Sequence, residues 1–133
     1  MAPHGRHAAA PVLAAWLLAV APPLAAAQAE ALMLVQNSPL AGFRYYEGTA
    51  LWTEVKVGDR LDLVREPDNP HDANAIRVQW KGQLLGYLPR RENAAVARQL
   101  DRGAPVEARI TQLRESRNPW QRIAFDVLVR VSE

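Results

Sequence analysis

Cysteine is absent from all 133 residues. That excludes a disulfide framework, a thiolate metal site, a cysteine nucleophile and a lipid-modified cysteine. A chain without thiols tolerates an oxidising compartment but does not require one. The sequence also lacks an apolar run near the ~20 residues that a bilayer span needs, because the stretch from Val12 to Ala21 stops at Pro22 and Pro23. Excess charge of either sign is missing too. Sixteen Lys and Arg stand against 14 Asp and Glu, and a net charge of +2 does not by itself imply a polyanion partner. Histidine is scarce: His4 and His7 sit near the start, which leaves His71 alone in the rest of the chain. One imidazole among scattered carboxylates is a poor transition-metal site. Asp68, Asp72 and Asn74 lack the spacing and the glycine of a calcium loop. With no paired acids, no activated nucleophile and no phosphate-cradling glycine loop, we expect no enzyme, no cofactor and no metal.

The first thirty residues are of a different kind from the rest. Arg6 is the only fixed positive side chain before the apolar stretch, and a small-residue tail containing Ala25 and Ala27 follows the two prolines. An apolar run of about 7 to 15 residues followed by A-x-A is the pattern of a secretory signal peptide. Residues 1–27 are therefore expected to be a leader cut after Ala27. The mature domain would then be residues 28–133, without a membrane segment, exported to the periplasm or the exterior; a mis-assigned start codon would instead leave it in the cytoplasm. About 100 residues suffice for one small domain with one core.

Residues 28–133 read mostly as strands. "ALMLVQ" is a short apolar run ended by the turn formers Asn37, Ser38 and Pro39, and "GFRYYEGTALWTEV" follows, rich in aromatics and interrupted by Gly42 and Gly48. After a Gly58-Asp59 turn, Leu61 and Leu63 alternate with Arg60 and Asp62, the period of a half-buried strand. Ile76, Val78 and Trp80 share one face, and Lys81-Gly82 links them to "QLLGYL" as a hairpin. Asn93, Val96, Ala97 and Leu100 fall on one helical face, with Gly103 placed to end that helix. Val106, Ala108 and Ile110 form another strand, and Ile123, Phe125, Val127, Val129 and Val131 form an inward row in the last. The expected fold is mainly β with one or two helices: six or so short strands in a small closed or partly closed barrel, which protects its edges by closure.

The most polar segment is "REPDNPHDANAIRV", Arg65 to Val78. Its asparagines and aspartates suit turns because their side chains bond back to nearby amides, while Pro67 and Pro70 fix φ. That accounts for a scaffold. It does not account for what the Asp72 carboxylate accepts if it faces outward.

Three blocks, "GFRYYEG", "REPDNPHDANAIRV" and "LLGYLPRR", in that order and followed by a helix, resemble the HIRAN domain family. The resemblance covers nearly all of the chain after the leader. It implies a compact OB-like β-barrel that captures the free 3′ end of single-stranded DNA. Long family members add helicase-like ATPase and ubiquitin-ligase modules; no residues here fit those, nor a zinc or hydrolase role. By position, Arg44 matches a phosphate-binding arginine, Tyr45 a base-stacking tyrosine, and Asp72 the acid that bonds the terminal 3′-hydroxyl. His71 stands where a second stacking tyrosine is common, Arg90 where a cation faces the DNA backbone, and Trp120 near a stacking aromatic of the last loop. The chemistry suits these roles. Rings stack on any base, guanidinium forks fit phosphate oxygens, and an ionised carboxylate accepts from a hydroxyl while repelling a phosphate. The competing expectation is an exported envelope barrel, structural or binding a protein, that has kept the fold without DNA binding.

Overall fold

The computed structural model describes residues 31–131 together with Gly5. Apart from Gly5, the leader expected over residues 1–27 lies outside the described residues. Six strands, β1 (Ala31–Pro39), β2 (Arg60–Arg65), β3 (Ile76–Trp80), β4 (Gln83–Tyr87), β5 (Val106–Leu113) and β6 (Ile123–Val131), form one sheet in the order β1-β6-β5-β2-β3-β4. Every pairing is antiparallel. Two helices complete the fold: a single turn, α1 (Gly48–Leu51), and the longer α2 (Ala94–Asp101).

The sheet coils without closing. Its two edge strands, β1 and β4, do not pair with each other. Instead, the chain leaving β1 reaches across: Ala41 and Tyr87 exchange both backbone hydrogen bonds at 2.9 Å. This bridge is possible because residue 86 is glycine. A Cβ there would stand 2.2 Å from the Ala41 carbonyl oxygen, inside any permitted contact. Register breaks at Leu34/Gln36, Val78/Gln79 and Ile110/Gln112 supply the bends that curl the sheet.

Alternation decides which side chains fill the interior. Ile76, Val78 and Trp80 of β3 are buried, as are Ala108 and Ile110 of β5 and Ile123, Phe125 and Val127 of β6. Each large apolar side chain so buried contributes about 1.5–3 kcal/mol relative to exposure. α2 contributes Val96 and Ala97 to the core, and Leu100 packs at its margin. The β3–β4 link is a two-residue turn with positive φ at both Lys81 (47°) and Gly82 (79°), the geometry whose twist matches a hairpin.

Three expectations are corrected. The aromatic run after Gly42 is not a strand: Phe43–Tyr45 is a 3₁₀ turn and Gly48–Leu51 is α1. Gly42 has φ 78°, which turns the chain out of extended geometry, and Phe43, Leu51 and Val55 then point inward from a compact coil. β1 does not end at Gln36 but runs through Pro39, with Ser38 buried under the Gln36 amide at 2.8 Å. Its proline is tolerated because β1 is an edge strand. The inward row of β6 stops at Val127, since Val129 and Val131 lie opposite Met33 and Ala31, in a part of the sheet that extends past the core.

Candidate nucleic-acid interface

The loop between β2 and β3 is held from three sides. Arg65, at the end of β2, donates to the carbonyls of Ala75 (2.9 Å) and Ala73 (3.0 Å) and to the Asp101 carboxylate of α2 (2.9 Å). Glu66 and Ala75 close the loop base through a backbone bond of 2.9 Å. Inside it, the Asn69 side-chain oxygen accepts from the amides of His71 (2.9 Å) and Asp72 (3.2 Å), the side-chain turn expected of this residue type. Pro70 and Pro67 stiffen the outer part.

This scaffold presents Asp72 half-buried. One carboxylate oxygen accepts from the Asn74 amide at 2.9 Å; the other accepts from the Asn93 side chain at 2.7 Å. A carboxylate offers about four acceptor sites. Two therefore remain for a ligand, and the group lines a cavity of about 360 Å³ shared with Tyr46, His71, Tyr87, Arg90 and Trp120.

Arg44 and Tyr45 line a neighbouring cavity of about 330 Å³, with Leu40, Phe43, Pro119 and Trp120. Both side chains are exposed, Tyr45 at 78%. Neither tyrosine of the pair is core, because both sit at a turn rather than on alternating faces of a strand. Tyr46, 40% exposed, is the one that faces the Asp72 cavity; its ring packs on Tyr87 at 5.5 Å between centroids. Gly42 serves this arrangement, since a Cβ at residue 42 would stand 2.9 Å from the Tyr46 ring.

Trp120 connects the parts. It sits on a turn, Pro119–Gln121, whose first amide is capped by the Asn118 side chain (3.1 Å), and it is 46% exposed. Its indole borders the Arg44 cavity, the Asp72 cavity and a third formed with Pro89, Arg90 and Arg91. Rings, guanidinium groups and one carboxylate are thus set around a single indole. Among the described residues, no group of three or more His, Asp or Glu side chains gathers to hold a metal.

Comparison with known proteins gives the family from a domain profile and from a solved structure. A profile of the HIRAN domain matches residues 33–132. The chain belongs to the HIRAN domain family. A Fanconi-associated nuclease 1 homolog from Oryza sativa subsp. japonica is 36% identical over 73 residues, 52% of this chain and 7% of that protein. A helicase-like transcription factor from Oryctolagus cuniculus is 40% identical over 63 residues, 47% of this chain and 6% of that one. The chain thus spans a small part of both relatives. Among solved structures, a protein from Lactobacillus plantarum superposes with a TM-score of 0.63 at 28% identity, covering 76% of this chain and 96% of that chain. The HIRAN domain of human HLTF superposes with a TM-score of 0.60 at 25% identity, covering 80% and 84%.

Within this HIRAN domain, several residues at the candidate site were not apparent from sequence. Tyr87 donates its hydroxyl to Glu66 at 2.8 Å, and Glu66 also lies 3.5 Å from Arg77 and accepts from Asn69 at 3.2 Å. Burial, the hydrogen bond to Glu66 and that carboxylate's charge push the Tyr87 phenol up to about 12. It stays a protonated donor that fastens the loop base to β4. Tyr87 and Glu66 stand inside the blocks that carry the family resemblance, and Tyr46 beside Tyr45 in the aromatic block, which was the signal that could have been used.

Proposed function

We propose that this HIRAN domain is a DNA-binding module that takes single-stranded DNA at a free 3′-hydroxyl end. Family membership supports DNA binding; the position of Trp120 on the border of all three cavities is the observation that favours a strand end. A terminal nucleotide in the Asp72 cavity would lie between the rings of Tyr46 and Trp120, and its 3′-hydroxyl would donate to a free lone pair of Asp72. Arg90 would meet the nearest phosphate. The preceding nucleotide would pass over Trp120 to Arg44 and Tyr45. His71, at the rim, offers less stacking area than a tyrosine would. A 3′-phosphate would bring like charge against Asp72 and be rejected. Nuclease and helicase-like names describe the long relatives, and none of that activity is carried over here. From the leader pattern we also propose export, so that the 3′ ends met would be those of extracellular or released DNA.

The test is fluorescence anisotropy with a short strand labelled at its 5′ end, carrying either a 3′-hydroxyl or a 3′-phosphate. We expect preference for the hydroxyl, its loss in Asp72→Ala, and weaker binding with a shallower salt dependence in Arg44→Ala. Equal and feeble binding of both strands would sink end recognition. One observation favours the alternative of an exported interaction barrel: Leu32, Met33 and Leu34 are exposed on the uncovered edge strand β1. That second possibility predicts no measurable DNA binding at all.

A further inference from the structure

We propose that Asn93 is a positioning residue for end recognition, fixing the orientation of the Asp72 carboxylate from beneath the cavity. The proposal rests on the 3′-end reading above and adds to it a specificity-determining residue that does not touch DNA.

Three observations support it. Asn93 is 1% exposed, and with Ser38 it is one of two buried polar residues among those described. Buried amides require partners. Its side chain donates to Asp72 at 2.7 Å across 21 residues of sequence, the only described contact between the start of α2 and that carboxylate. Asn93 also occupies the N-cap position of α2, where an Asn side chain ordinarily accepts from the first helical amides. Here it makes no such bond. Its backbone, at φ −100° and ψ −16°, is helical rather than extended, and this turns the side chain away from the helix and towards the loop. A residue well suited to capping is thus directed to Asp72.

The geometry gives this bond a definite effect. The Asn74 amide holds one carboxylate oxygen and Asn93 the other, so rotation about the Cβ–Cγ bond is restrained from both sides. The acceptor sites left over then have a fixed direction. Without Asn93 the carboxylate keeps only the Asn74 amide and can turn, and its match to a hydroxyl is lost although its charge remains. Repulsion of a terminal phosphate would persist in part; attraction of the hydroxyl would not.

The experiment compares wild type, Asn93→Leu, Asp72→Ala and the double variant, with 3′-hydroxyl and 3′-phosphate strands by anisotropy. Leucine fills a similar volume and donates nothing, so packing is kept while the bond is removed. We expect Asn93→Leu to reduce hydroxyl-strand affinity by about tenfold, the scale of a hydrogen bond involving a charged group. In the Asp72→Ala background the same change should have almost no effect, because its partner is gone. A structural role alone would weaken both backgrounds equally, and that result overturns the proposal. So does full discrimination retained by Asn93→Leu, which leaves end recognition itself standing. A wild type that does not discriminate removes end recognition, and the role of Asn93 falls with it. Should Asn93→Leu fail to fold, the wild type still decides. The Asn93 side-chain amide resonances should shift on adding the hydroxyl strand and not on adding the phosphate strand, and no shift at saturation with the hydroxyl strand rejects the proposal.

Discussion

Gly86→Ala tests whether the bridge between the edges of the sheet supports both the fold and the site. The added methyl would stand 2.2 Å from the Ala41 carbonyl oxygen and 3.1 Å from two carbons of Leu40. The nearest of these is backbone, so the strain cannot be relieved by rotating a side chain. The segment after β1 must move away, breaking the two 2.9 Å bonds between Ala41 and Tyr87. Those bonds represent ~1 kcal/mol each and overpacking adds ~1–3 kcal/mol. A loss of about 3–5 kcal/mol is expected, large against a total of ~5–15 kcal/mol. Urea unfolding at pH 7 measures it. Hydrogen exchange places it, since the amides of Ala41 and Tyr87 should lose protection well before those of β5 and β6. Tyr46 would move with the displaced segment, so DNA affinity should fall even where the protein remains folded. A variant within about 1 kcal/mol of wild type, with the Ala41 amide still protected, would refute the role assigned to the bridge.

Arg65→Ala should destabilise the protein by about 2–4 kcal/mol, because it removes a charged donor from two loop carbonyls and from Asp101; chemical denaturation checks this, and a change under 0.5 kcal/mol would argue against the clamp. Trp120→Ala should weaken single-strand binding by ~1–3 kcal/mol, the value of one stacked base. Thermal stability should change little, as the indole is 46% exposed; unaltered affinity would remove Trp120 from the interface. Tyr87 should titrate near 12 in an absorbance titration, and Glu66→Gln should lower it by removing the carboxylate's part while the part due to burial remains. Because folding favours the protonated phenol, its contribution is fully present below pH 10 and is lost as pH rises through 12. A Tyr87→Phe variant whose stability falls as steeply between pH 10 and 12 as that of wild type would contradict that assignment.

Local periodicity carried most of the sheet. β3 follows from strict alternation, its link to β4 from the Lys81-Gly82 turn dipeptide, and α2 from Asn93, Val96, Ala97 and Leu100 on one face. What misled was the aromatic block. Phe43, Tyr45 and Tyr46 have high strand propensity, yet a left-handed Gly42 and the close packing of Gly48 on Phe43 impose a turn there. Tertiary contact overrode propensity, and both tyrosines stand exposed at the turn. Pro39 was misleading for a related reason: as a turn former it marks an ending, but an edge strand has a free side that needs no donor. The Asn93–Asp72 bond could not be read at all. Nothing in the spacing of residues 72 and 93 marks them as neighbours, since their approach depends on how α2 meets the β2–β3 loop.

That bond also bears on whether the polar loop is scaffold or site. A carboxylate whose every acceptor position were occupied would be structural, and one with none occupied would swing freely and select poorly. Asp72 lies between these, with one bond from the loop's own backbone and one from the start of α2. Two fixed bonds, one on each oxygen, restrain the carboxylate plane, and the group lines the cavity that Tyr46 and Trp120 border. The same donors that stabilise the turn therefore orient the group that would meet the ligand. If so, Asn69→Ala, which removes the acceptor of the His71 and Asp72 amides, and Asn93→Leu should lower end discrimination more than they lower overall DNA affinity. Arg44→Ala and Arg90→Ala should do the reverse, lowering affinity for both strand ends alike. Measuring both quantities across these four variants separates orientation from attraction, and a single common ratio in all four would show that the loop contributes charge alone.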